Sequence, residues 1–468
     1  MDGPNHLVPP TVSARARPLD RSKSVWRRIL PSGAFGPRGF LLFLLGLVWI
    51  GPAWWDLRFL GAMALWDVMA LVFWAWDFEQ LPPPGNIELQ RMWTAAAAFG
   101  TGSSVEIGLR NHGKISITAV MLDDVPTQFR AEPPELELRA AAGEMGTARY
   151  AIFPVERGDA RLGRVFVKYQ SLFRIAERWA EADLSQIVRV YPSLEEARRQ
   201  TIYLIRSRQV QVEKRLKRQR GQGRDFESLR DYRPGDPLQD ICWTASARRS
   251  RLVSKIYQVE RSQVVWLVLD AGRLLRARVK GPSKLDYAVN AALALAQVAL
   301  HSGDRVGLLA YGRKPQQQIP AGRGPLHLRA LVESLAQVQT EPYEANHVRA
   351  AETLLTTQSR RSLIVWLTDL AETPATPEVI ESAMQMTPRH LVLFGVIKQP
   401  ELAELAARSP ETAREMYHHV AAQEMLDRRE LLLRQLQQQG ALAMEFDPAH
   451  FTPALVNHYL EIKERSLL

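Results

Sequence analysis

Two aspartates stand where an α/β protein does chemistry. VVWLVLD (264–270) is an unbroken apolar run that ends in Asp270, and SLIVWLTDL (362–370) is a second that carries Asp369 near its end. Ligands of open α/β sheets collect at the carboxyl ends of strands. Paired carboxylates there, with a hydroxyl close by, would suit a hard cation such as Mg²⁺. Each carboxylate could equally cap the backbone that follows it. The positions after Asp270 weaken the metal reading, because Gly272 and Leu274 bring no side-chain oxygen.

A second candidate is LRDYRPGDPLQD (229–240) with the residues that follow it. Arg230, Asp231, Arg233, Asp236 and Asp240 alternate in charge around a Pro-Gly-Asp turn, and Trp243 and Arg248 lie just beyond. Arginine pairs bidentately with carboxylates or phosphates, so the run reads as an internal ion-pair staple or as a docking surface. Residues 198–261 hold 17 Lys/Arg against 7 Asp/Glu, which equals the formal surplus of +10 carried by the whole chain. Such a patch attracts polyanions, including anionic lipid. No helix-turn-helix, zinc-finger or RNA-recognition signature accompanies it, so no specific nucleic acid is expected.

Enzyme signatures are scarce. The chain has no GxxxxGK[ST], GxGxxG or GxSxG. Cys242 is the single cysteine, which excludes an internal disulfide and any Cys-rich zinc site. It reads as a small apolar residue rather than a nucleophile. The adjacent His418 and His419 and the scattered His301, His327, His347 and His390 lack ligand spacing, and Arg157-Gly158-Asp159 reads as a turn between strands.

The elements that must position these residues follow from periodicity. From Gln263 onward, strands apolar on both faces alternate with helical stretches such as 287–304, 326–338 and 346–358. That grammar means a mainly parallel sheet covered on both faces. Upstream, residues 87–192 alternate with period two in short runs separated by turn residues, which predicts a small β-sandwich. Earlier still, Gly39–Trp55 is uncharged and spans roughly 25 Å as a helix. Leu57–Trp76 follows it, interrupted by Arg58 and Asp67. A mid-bilayer carboxylate costs at least about 2.5–3.5 kcal/mol, so Asp67 would be neutral, paired or hydrated. The two blocks predict a transmembrane hairpin over 39–78, ended by Pro82-Pro83-Pro84-Gly85. Seven Lys/Arg in residues 1–38 would place both termini in the cytoplasm by the positive-inside rule. The expected order is a basic segment (1–38), the hairpin (39–78), the sandwich (87–192), a basic helix with the RDYRPGD segment (194–260), and the α/β domain with a helical extension (261–468). At 468 residues, with 46% hydrophobic and 24% charged residues, the chain has the makeup of a folded protein of about three domains.

LRDYRPGDPLQDICWTASARRSRLVSKIYQVE followed by VVWLVLDAGR closely resembles the bacterial domain-of-unknown-function-58 family, whose members carry a von Willebrand factor A-like domain. GPSKLDYAVNAALALAQVALHSGDRVGLLAYG, RRSLIVWLTDL and LVNHYLEIK resemble the same family. The resemblance implies a von Willebrand A-like (Rossmann-like) parallel sheet behind a membrane segment and a small sandwich. It implies a place in the bacterial plasma membrane and partnership with a MoxR-type AAA+ ATPase in complex assembly or envelope maturation. The A-domain metal motif, Asp-x-Ser-x-Ser, reads here as Asp270-Ala271-Gly272-Arg273-Leu274. Asp369 keeps the later aspartate, and Thr340 lies near the region of the distant threonine. The expectation is a membrane-anchored, non-enzymatic adaptor, the alternatives being a metal-dependent hydrolase built on Asp270, Asp369, Asp236 and Asp240, or a polyanion- or lipid-surface binder acting through 198–261.

Overall fold

A computed structural model describes residues 8–19, 33–56, 58–193, 225–233, 238–258, 263–370 and 376–465. The chain folds as two compact units, Met1–Tyr191 and Pro192–Leu468. Asp236 and all of residues 194–224, where the basic helix is expected, lie outside the described residues.

The first unit contains the sandwich. One sheet runs in the order Val12–Arg15, Ile87–Trp93, Ser103–Asn111, Met145–Ile152. The other is built around Ala176–Ala182, Val165–Gln170, Ile117–Asp123 and Glu135–Ala140, with the short strands Arg17–Pro18 and Gly33–Phe35 added at its edge. Strict alternation drives this, since every second residue of Ile87–Trp93 is buried. Leu89, Ile107, Met121 and Val167 fill the space between the sheets. Arg91 occupies an inward position of the same strand, and its guanidinium meets the carboxylate of Asp123 with both side chains fully buried. Tyr150 donates to Asp123 Oδ2 at 2.6 Å, and the carbonyls of Leu184 and Gly163 accept from Arg91 at 2.6 and 3.2 Å. A buried charge survives only when so completely partnered.

The predicted transmembrane hairpin is not what forms. Among the described residues one helix, Arg58–Gln80, is long and apolar enough to cross a bilayer. The Gly39–Trp55 block is instead an α-helix Pro37–Gly46, a 3₁₀ turn Leu47–Trp49 and a single α turn Ile50–Ala53. The whole helical run, Pro37–Ala53, is shorter than the about 20 residues that a bilayer-spanning helix needs. Pro52 adds a residue with no backbone donor. The two-pass topology with both termini cytoplasmic, which rested on that hairpin, is set aside with it. Asp67 faces the shorter helix, and a Cβ on Gly46 would lie 2.7 Å from its Oδ1. Glycine is therefore what lets the carboxylate approach.

The second unit is a six-stranded sheet in the order Pro315–Gly322, Arg305–Tyr311, Val264–Asp270, Leu363–Leu367, Leu391–Ile397, Leu442–Phe446. All neighbouring pairs are parallel except the edge pair of Pro315–Gly322 with Arg305–Tyr311. Helices Lys284–His301 and Ala413–Gln438 are among those that cover it. Val265, Leu267, Ile364, Val365, Val392 and Phe394 are fully buried, as strands covered on both faces must be.

Candidate functional site at the carboxyl edge of the sheet

Val264–Asp270 and Leu363–Leu367 are adjacent parallel strands, so Asp270 and the Thr368-Asp369 pair emerge at the same edge. The two aspartates do different work. Asp270 is 2% exposed; its Oδ1 accepts from the Gly272 amide at 2.7 Å and its Oδ2 from the Thr368 hydroxyl at 2.6 Å. Burial raises its pKa above the ordinary carboxylate value, against the opposing pull of His347 and these two hydrogen bonds. This is the local backbone cap that the sequence allowed as one reading.

Asp369 faces two cations. Its Oδ2 lies 2.5 Å from the Lys284 ammonium, and its Oδ1 lies 2.8 Å from Arg429 Nη2. Oδ1 also accepts from the Leu370 amide at 2.9 Å. Arg429 extends the network, donating to the Leu370 carbonyl at 3.1 Å and pairing with Glu445 at 3.1 Å. The Lys284 side chain is completely buried and that of Asp369 is 4% exposed. Burial lowers the lysine's pKa, and the charge of Asp369 opposes that shift. Lys284 is the first residue of helix Lys284–His301, whose N-cap Ser283 forms a capping box with Asp286. The capped terminus points the ammonium at the sheet edge.

A divalent cation does not fit this donor set. Asp369 is already neutralised by Lys284 and Arg429, and Asp270 is engaged by its own backbone and Thr368. Among the described residues no three His, Cys, Asp or Glu side chains converge as metal ligands. Gly272 has a physical reason to be glycine: a Cβ there would sit 2.8 Å from the Ala345 amide nitrogen and 3.0 Å from Asp270 Oδ1. A serine could not enter without shifting that loop.

Behind Asp270 lies a buried polar chain that periodicity did not disclose. Trp366 Nε1 donates to the Tyr311 hydroxyl at 2.7 Å, which lies 2.8 Å from His347 Nδ1. Burial lowers the pKa of His347, against the pull of the Asp270 carboxylate, and pushes that of Tyr311 far up. The rim above carries Arg273 paired with Glu344 at 2.9 Å, and Arg313 stacked 4.0 Å over the Tyr343 ring.

The segment holding Arg230, Asp231, Arg233, Asp240, Trp243 and Arg248 folds largely on itself. Strand Asp225–Asp231 pairs with Val253–Gln258, and between them lie a 3₁₀ turn Leu238–Asp240 and a helix Trp243–Arg249. Cys242 N donates to the Val253 carbonyl at 2.8 Å, and the Ser246 hydroxyl accepts from Val253 N at 2.9 Å. Asp231 pairs with Arg251 at 2.9 Å, an exposed staple. Trp243 is 68% exposed and Leu238 71%.

A mainly parallel six-stranded sheet with one antiparallel edge pair and two aspartates at its carboxyl edge is a Rossmann-like α/β module. Residues 228–433 match the model of the DUF58 family, described as a protein of unknown function. An uncharacterized protein of Mycobacterium tuberculosis is 26% identical over 151 residues, which cover 32% of this chain and 48% of that protein. The uncharacterized YeaD of Bacillus subtilis is 24% identical over 192 residues, covering 41% and 45%. The matches therefore span about half the length of these curated relatives. Among solved structures, a conserved hypothetical protein BatB from Bacteroides thetaiotaomicron superposes with a TM-score of 0.31 at 12% identity, over 44% of this chain and 100% of that one.

Proposed function

We propose that the protein is a membrane-associated, non-enzymatic adaptor whose A-like module docks another protein. The observation that carries this reading is Trp243. A large aromatic side chain stands 68% exposed on a short helix held in place by the Ser246 and Cys242 hydrogen bonds. Arg248, Arg249 and Leu252 beside it in sequence are exposed too. Tryptophan and arginine are the residue types that dominate binding energy at protein interfaces, and a rigid mount reduces the entropy lost on docking. Asp270 and Asp369 are buried, so in this reading they hold the sheet edge in shape and do not touch the partner. The family resemblance favours a MoxR-type AAA+ ATPase as partner, and the basic segment favours an acidic surface on it. Arg58–Gln80 supplies the membrane attachment.

The test is capture of the full chain, in mild detergent, by an immobilised MoxR-type AAA+ ATPase. Trp243→Ala and Arg248→Glu should each weaken capture by roughly tenfold or more, as loss of an interface hot spot of ~2 kcal/mol or above does. Full capture by both variants would defeat the docking surface.

A further inference from the structure

The loop Ser171–Arg174 joins strands Val165–Gln170 and Ala176–Ala182 of the sandwich. Such a loop would ordinarily be polar, yet Leu172 is 74% exposed and Phe173 46%. Neither is a loose tip. Ser171 Oγ accepts from Phe173 N at 3.1 Å, and Arg174 takes a left-handed backbone at φ 58°. The Phe173 ring lies 6.2 Å from Phe73 and 6.1 Å from Trp76, both in the last apolar turns of helix Arg58–Gln80. Two further contacts fix the loop's height against that helix. Asp77 accepts from Ala176 N at 2.9 Å, and Arg178 donates to the Phe78 carbonyl at 3.1 Å. Leu65, Val68, Met69 and Val72 of the helix are exposed, so its apolar surface runs on toward the loop. Cations flank it: Arg174, and Arg38, whose Nη1 donates to the Phe173 carbonyl at 3.4 Å.

We propose that Ser171–Arg174 is a membrane-interface anchor. Leu172 and Phe173 enter the outer acyl region beside the helix, and Arg38 and Arg174 sit among the lipid phosphates. This rests on the membrane reading of Arg58–Gln80 and adds to it a fixed depth for the sandwich: the bilayer surface lies at this loop. Aromatic and aliphatic side chains backed by arginines are what an interfacial contact requires. The arginines make it stronger on anionic than on zwitterionic headgroups.

The experiment uses the full chain in vesicles of phosphatidylcholine with or without phosphatidylglycerol. In a Cys242→Ser background, a single cysteine is placed by Leu172→Cys, Leu65→Cys or Leu122→Cys and carries an environment-sensitive fluorophore. Quenching by nitroxide lipids reads its depth. Leu122 pairs with Phe166, four residues up the strand from Gln170, roughly 13 Å from the loop. The label at 172 should be quenched at a depth of about 5–10 Å below the headgroups. The label at 65 should be quenched more deeply, and the label at 122 not at all. Arg38→Glu with Arg174→Glu should remove the extra quenching at 172 that phosphatidylglycerol brings. Quenching at 65 with none at 172 would overturn the loop anchor and leave the helix in the membrane. No quenching at either would overturn both. Equal quenching at 172 in the two lipids, before and after the arginine changes, would overturn the role of the cations.

Discussion

Asp369→Ala separates an ion-paired sheet edge from a metal-dependent one. In the structure this change leaves the Lys284 ammonium fully buried, without the carboxylate at 2.5 Å that neutralises it. Arg429 keeps Glu445 at 3.1 Å, so the uncompensated charge is chiefly that of Lys284. Removing one partner of a buried pair costs about 3–5 kcal/mol. At ~2–4 °C per kcal/mol for a unit of this size, the melting temperature should fall by roughly 6–20 °C. Lys284→Met should cost less, because Asp369 retains Arg429 and the Leu370 amide. The double variant Lys284→Met with Asp369→Leu should recover part of the loss, since an apolar pair replaces buried charges. The pH dependence has a definite sign. Burial already lowers the pKa of Lys284, and loss of Asp369 lowers it further. Between that folded value and the unfolded lysine value near ~10.4, the unfolded chain holds the extra proton, so stability of the variant rises with pH. The gap to wild type should therefore narrow as the solution becomes alkaline. Differential scanning calorimetry with excess EDTA, repeated with magnesium, reads all of this. A fall below about 2 °C in EDTA, or one that appears only when magnesium is present, would refute the reasoning.

In the sandwich, Asp123→Ala strands the buried Arg91 and should cost about 3–5 kcal/mol in urea unfolding, whereas Tyr150→Phe should cost only the ~1.5–3 kcal/mol of a hydrogen bond to a charged group. Gly272→Ser restores a hydroxyl near Asp270 but drives a Cβ against Ala345; it should lose about 1–3 kcal/mol and gain no Mn²⁺ binding, read by thermal melts and Mn²⁺ titration. Asp270 has its folded pKa raised above 3.8, so it binds its proton more tightly when folded, and its stabilising contribution is lost as pH rises through that folded value. Asp270→Asn lacks this slope, and its melting temperature should gain on wild type as pH climbs out of the acid range; parallel curves would contradict the shift.

Much of this architecture is written locally. The apolar runs that end at Asp270 and Asp369 specify strands buried on both faces, because parallel strands between helix layers tolerate no polar face. The alternation in 87–192 specifies the sandwich for the complementary reason, one wet face and one dry. The segment 226–260 carries the family resemblance outright. Some signals were present but outweighed. Gly46, Gly51 and Pro52 break the first apolar block into short helical pieces, although its composition alone reads as a membrane span. A lysine at the first position of a helix is disfavoured by the helix dipole. Lys284 sits at such a position, yet neither periodicity nor motif marks it or names the anion that offsets it.

What that anion is, only the tertiary structure decided. Lys284 and Asp369 are 85 residues apart, and Arg429 reaches Asp369 across another 60. Arg91 finds Asp123 inside the sandwich in the same way. Periodicity reports which face of an element is buried, because that is a property of neighbours along the chain. It says nothing about which charge arrives opposite, because that depends on how strands and helices are threaded. The two strand-end carboxylates were legible as carboxylates. Their division into a capped aspartate and an aspartate clamped between two cations arises only when the sheet closes and helices Lys284–His301 and Ala413–Gln438 pack against it.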